Sequence, residues 1–233
     1  MCNLMNPQPA INRTRGDAKA RLLVASLAVI REKGFSATSV EDLCQAAGVT
    51  KGAFFHHFPS KDDLGVAAAD HWSEITGALF AAALYHNQAD PLHRVLGYLD
   101  FRADLLRGTV PEFTCLVGTM VQEAYDTSPA IRAACEASIC GHAQKLEPDI
   151  DEAMQRYNIN GDWTARSLAL HTQAVLQGAF ILVKATGDLE IARSSVAHLR
   201  RYIELLFRQP PTEGQAQKES SFGEQKEAKK LCQ

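Results

Sequence analysis

The sequence predicts an all-α fold of about nine helices, in which a compact three-helix head precedes a longer and more apolar helical body. From Asp17 to Arg208 the apolar residues recur every three or four positions, and no stretch alternates with period two for long enough to require a strand. Between Thr38 and Leu64 the chain packs two short amphipathic segments around a sharp turn. The patterning also sets the boundaries: a disordered leader over 1–13, a head over 14–64, a body over 65–208 and a polar, disordered tail over 209–233.

The leader holds Pro7 and Pro9 and brings Arg13 and Arg15 to the edge of the head, where a basic arm can follow a minor groove. A first helix runs to Lys33 with Leu22, Leu23, Leu27, Val29 and Ile30 on its apolar side, and Gly34 stops it. Ser39 with Asp42 three residues on reads as a capped start, after which Val40, Leu43, Cys44 and Ala47 fall on one face. Gly48 suits the left-handed exit of that helix. Thr50 caps the next, in which Phe54 and Phe58 stand four apart and close the small core. Ser60 and Lys61 begin a helix that leaves the head through Leu64 toward about His86.

In the body, Asp90 caps a helix ending at Gly108, and Phe113 to Tyr125 forms another. Pro129 to about Tyr157 is a longer one interrupted at Pro148. Asp162 caps an apolar segment from Trp163 to Ala185, and Asp188 starts the last helix, which ends before Pro210. The last two helices carry aliphatic stripes with small residues, from Leu168 through Gly178 to Leu182 and from Val196 to Leu206. Paired with their counterparts in a second subunit, they make a four-helix bundle, so a homodimer through these helices is expected.

Once Phe54 and Phe58 face inward, Lys51, Gly52, Phe55 and His56 are left outside. A donor-rich outward face that begins at a helix N-terminus suits a DNA major groove. Spacing alone also fits a helical hairpin inside an all-α core. Charge adds to the case for DNA: before residue 65 there are eight basic and six acidic side chains, a balance of +2, and the whole chain's −3 leaves −5 for the rest. No run of about 18 apolar residues calls for a membrane span, and the first residues lack a signal-type apolar segment, so a cytoplasmic protein is expected. Six cysteines without a CxxC pair predict reduced thiols, with no metal site and no cofactor.

The stretch GVTKGAFFHHFPSKDDL, together with the helices before it, closely resembles the N-terminal DNA-binding domain of TetR/AcrR-type bacterial transcriptional regulators. Gly48, Val49, Thr50, Lys51, Gly52, Phe54, Phe55, His57, Phe58, Ser60, Lys61 and Leu64 carry the match. Two positions depart from it: Phe55 replaces a common tyrosine and Ala53 a common threonine, so two polar contacts to DNA are missing. The resemblance implies a ligand-responsive regulator, a repressor released from a palindromic DNA operator by a small-molecule effector, with activation left open. Its DNA-binding set is Ser39, Thr50, Lys51, Gly52, Ala53, Phe55, His56 and Lys61.

For the effector, residues that are large or polar within apolar helices are the candidates: Trp72, Phe101, Arg102, Met120, Tyr125, His171 and Gln177, with His142 and Trp163 beside them. Each of these also fits an ordinary core position. Cys115, in TCLVG, is similar to the cysteine element of a TetR subgroup that senses electrophiles or oxidants, and equally fits a small buried hydrophobe. An all-α enzyme is the rival class, but no Ser-His-Asp set, HExxH, P-loop or GxGxxG pattern supports it.

Overall fold

The computed structural model describes residues 18–208, which form eleven α-helices and one 3₁₀ turn, with no strand among the described residues. The leader with Arg13 and Arg15 and the tail beyond 208 lie outside the described residues. The helix count exceeds the expected nine because two predicted helices are each divided. Phe113–Tyr125 splits into α6 (Val110–Phe113) and α7 (Leu116–Ala124) at extended Thr114 and Cys115. The segment around Pro148 becomes α8 (Pro129–Gln144) and α9 (Glu147–Arg156), the proline taking an opening position where no amide hydrogen is needed.

In the head, α1 (Ala18–Lys33), α2 (Val40–Ala47) and α3 (Lys51–His57) close around Leu22, Leu43, Cys44, Phe54, Phe58 and Leu64. The Ser39 capping box forms as expected, Ser39 Oγ accepting the Asp42 amide at 3.1 Å and Asp42 accepting the Ser39 amide at 2.9 Å. Gly48 ends α2 at φ 61°, a backbone conformation in which any side chain is strained.

From the head, α4 (Lys61–Ala81) runs into the body, where α5 (Pro91–Leu105), α10 (Ala165–Thr186) and α11 (Leu189–Leu206) complete the fold. Two further clusters fill it. One joins the C-terminal half of α1 to α4, α7 and α8 through Leu27, Ile30, Trp72, Met120 and Ile131. The other joins α5, α9, α10 and α11 through Leu99, Ile150, Leu176, Val183 and Ile203. Thr164, not Asp162, caps α10, its Oγ1 accepting the Ser167 amide at 3.1 Å.

Against the expectation of no candidate span, α10 passes for one by length and composition, yet 44% of its most apolar window is buried within the fold. Its inner face packs Leu168, Leu176, Phe180 and Val183 against the rest of the body.

Candidate nucleic-acid interface and effector cavity

The outward side of α3 is built by what its inward side anchors. Phe54 is fully buried, with the Phe58 ring 5.9 Å away, and this pins one face of a seven-residue helix to α1 and α2. Lys51, Gly52, Phe55 and His56 are exposed on the other face, Phe55 by 53%. Thr50 Oγ1 accepts the Ala53 amide at 3.1 Å and fixes the helix start. Lys51 forms an ion pair with Glu41 of α2, with both side chains solvated, an interaction worth well under about 1 kcal/mol in water.

Two basic residues are spent inside the head. Arg21 donates from Nη1 to the carbonyls of Ala47 at 3.2 Å and Gly48 at 3.0 Å, satisfying the open end of α2. The Lys61 ammonium donates to the carbonyls of Phe35 and Thr38, each at 3.0 Å, and sits 4.6 Å from the Phe35 ring centre. Its hydrogens therefore bind the α1–α2 turn together, and phosphate would have to compete with three carbonyls for them.

Between the two body clusters lies a cavity of about 220 Å³. Trp72, Thr76 and Phe80 line it from α4, Arg102 from α5, Phe113 from α6 and Cys115 from the cap of α7. Ser138, His142 and Lys145 close it from α8, and Gln173, Gln177 and Phe180 from α10. A polar chain crosses one wall: Gln173 Nε2 donates to Tyr98 Oη at 3.1 Å, as does Arg102 Nε at 2.8 Å, so the Tyr98 proton points to His142 Nε2 at 3.0 Å. Arg102 Nη2 reaches the same nitrogen at 3.1 Å. Burial first, then the charges of Arg102 and Lys145, push the His142 imidazole down to about 3, so it is neutral and accepts.

Cys115 is the N-cap of α7, its Sγ accepting the Gly118 amide at 3.4 Å. Gly118 lets the Gln177 amide lie close against α7, where a Cβ would make that side chain shift. Arg31 ties the head to this wall. It is buried in α1, donates to the Leu27 carbonyl at 2.7 Å and the Glu112 carbonyl at 3.3 Å, and stacks 5.1 Å from the Trp72 ring centre. Desolvation lowers its guanidinium to about 10, so it stays charged at neutral pH.

The family model for bacterial regulatory proteins of the tetR family matches residues 22–68, the whole of the head core, and that for the tetracyclin repressor-like C-terminal domain matches 91–199. The chain belongs to the TetR family. Among curated relatives, the transcriptional regulator AcuR of Cereibacter sphaeroides is 30% identical over 132 residues, covering 54% of this chain and 60% of that protein. The repressor NemR of Escherichia coli is 22% identical over 192 residues, 82% of this chain and 96% of that one. A TetR-family regulator from Agrobacterium tumefaciens has the same fold at a TM-score of 0.70 and 20% identity, covering 79% of this chain and 96% of its own.

As a TetR-family member the protein is a ligand-responsive DNA-binding transcriptional regulator. Of the effector residues expected from sequence, the fold brings Trp72, Arg102, Gln177 and Cys115 to the cavity, and His142 with them. It does not bring the others. Met120 is fully buried on the side of α7 that faces α1 and α8, and Phe101 stands edge-on behind Phe80, the ring centres 5.2 Å apart. Tyr125 ends α7 in solvent at 58% exposure. His171 is on the outer face of α10, its ring 5.4 Å from that of Tyr202 on α11, while Trp163 packs on Phe207. Sequence reasoning missed Tyr98, Gln173 and Lys145. The spacing of four that joins Tyr98 to Arg102 and Gln173 to Gln177 was the available signal.

Proposed function

We propose that this protein is a homodimeric, cytoplasmic repressor that holds a palindromic operator through α3 and releases it when a small effector enters the body cavity. The observation that carries this reading is the division of α3: two phenylalanines clamp it from behind, and Lys51, Gly52, Phe55 and His56 face solvent. Phosphate contacts come from Ser39 and Thr50 at the helix starts and from Lys51 once it gives up Glu41; Ala53 adjoins them, and Lys61 joins only by giving up its carbonyl partners in the α1–α2 turn.

The dimer face lies on α10 and α11 and keeps Gly178 and Leu182 of the stripes read from sequence, but not most of their other members. Leu168, Ala179, Val196, Leu199 and Ile203 are buried within their own chain. Exposed instead are Leu170, Ile181, Leu182, Tyr202 and Leu205, beside Gly178, above which a Cβ would meet only open space. Such an apolar surface supports self-association. Signal transfer runs through Arg31, whose partner Trp72 lines the cavity and whose partner Glu112 directly precedes the lining Phe113, while its helix braces α2 and α3. Cys115 enters as cavity wall and helix cap, which accounts for a small sulfur side chain there without a sensing role.

Selection of bound fragments from a random DNA pool should return palindromes, bound with steep salt dependence. Lys51→Ala should abolish the specific gel shift while leaving a folded dimer. A variant that binds the selected operator as tightly as the parent overturns the assignment of the reading face.

A further inference from the structure

We propose that the effector is a small organic anion, a carboxylate on a compact apolar body, held by the guanidinium of Arg102. This rests on the regulatory reading above and names the class of molecule that the cavity takes.

The charges around the cavity do not balance. Arg102 and Lys145 bring a guanidinium and an ammonium to its wall, and no aspartate or glutamate lines it. Among the described residues neither cation has an ion-pair partner within 4.0 Å; Arg94, Arg156, Arg193 and Arg200 in the body are paired with carboxylates, and the body arginines left unpaired, Arg132, Arg166, Arg201 and Arg208, are exposed where Arg102 is not. Lys145 is exposed, but Arg102 is partly buried, and a cation so placed without a counter-ion carries a desolvation cost that a bound anion offsets.

The guanidinium is also held in place in advance. Its plane lies over the rings of Phe80 at 4.5 Å and Tyr98 at 5.3 Å, and its Nε and Nη2 are fixed by Tyr98 and His142. Those bonds engage two of its five N–H groups, leaving Nη1 without an acceptor among the described residues and able to meet a carboxylate oxygen. His142 does not compete for the anion as a second charge, since its ring is neutral and already accepts from both neighbours. The Lys145 ammonium stands at the α4 side, where Gly77 makes room, its Nζ 3.1 Å from where a Cβ would be.

The body of the ligand is set by the rest of the wall. Trp72, Phe113 and Phe180 offer apolar surface across from the polar chain. The volume of about 220 Å³ falls below the roughly 300 Å³ at which drug-sized pockets begin, so one ring or a short chain fills it.

The test is titration calorimetry on the full-length protein with benzoate, phenylacetate and hexanoate, each against its primary amide. At least one acid should bind saturably and about tenfold or more tightly than its amide, the difference expected for a charge-assisted bond over a neutral one. Arg102→Met should erase that preference, and Lys145→Met should reduce it. Should Arg102→Met fail to fold by circular dichroism, Lys145→Met and the acid-to-amide ratio of the unaltered chain decide. The proposal is overturned if amides bind as tightly as acids, if no acid saturates by about 10 mM, or if folded Arg102→Met keeps the preference. The regulatory reading fails separately, by the return of no DNA from the random pool. An operator that is found, and bound equally with and without a saturating acid, overturns the acid as effector while leaving the DNA reading intact.

Discussion

In the head, the surface pairs of Lys51 with Glu41 and Lys33 with Asp42 are solvated, whereas in the body Arg102 is partly withdrawn from water with no carboxylate partner among the described residues. Surface pairs in water are weak and exchange readily, which suits a face that must trade a protein carboxylate for phosphate. A cation held away from water is felt more strongly by its surroundings, so one charge entering or leaving the cavity can shift a helix. The cores differ in the same direction. The head closes on seven buried residues, while the body is filled by two larger clusters that share the cavity between them.

The strongest way to break this contrast is to remove the head's central ring. Phe54→Ala should cost about 3–5 kcal/mol, unfolding the head and abolishing operator binding while carboxylate binding by the body persists. A single calorimetric transition shifted as a whole would show instead that head and body do not melt apart.

A second test uses acid. The folded-state value of His142, about 3, lies below the 6.5 of the free imidazole, so the folded protein binds fewer protons than the unfolded chain. Stability should therefore fall as pH drops below about 6.5, by up to about 1.4 kcal/mol per unit, and level off near pH 3. His142→Gln should flatten melting temperature against pH over that window. The head behaves otherwise: the Lys33 ammonium, then the Ser39 amide and hydroxyl, hold Asp42 well below its usual 3.8. Its contribution is fully present above that value and is lost only as pH falls further, so between pH 6 and 4 the body weakens and the head does not.

Arg31→Met probes the seam between the two regions. Losing the bond to the Glu112 carbonyl should cost about 1–3 kcal/mol, with operator binding retained and its release by effector blunted in a gel-shift titration. The smallest effect is expected from Asp42→Ala, which opens the capping box of α2 and should lower the urea midpoint slightly, with no change in ligand affinity.

Much of the head was legible before any coordinates. Ser39, Gly48, Thr50, Phe54 and Phe58 act on residues at most five apart, through caps, a left-handed exit and one helix face, and α2 begins and ends where its residues said it would. What local pattern hid were the long-range partners: Arg21 on the end of α2, and Lys61 turned to carbonyls 23 to 26 residues away. The cavity was legible only in part. Trp72, Arg102 and Gln177 stood out as large or polar side chains on apolar helices, but Met120 and His171 stood out equally and face elsewhere.

By itself the sequence determined the all-α class, the caps and turns of the reading head and the family to which the chain belongs, because each is set by short-range spacing and local backbone preference. Only the tertiary structure decided which polar residues share the cavity, which apolar residues on α10 and α11 remain uncovered, and that Arg102 stands without a carboxylate. Those outcomes depend on how each helix is rotated against neighbours far away in the chain, and periodicity gives a helix an apolar face without saying which partner will cover it.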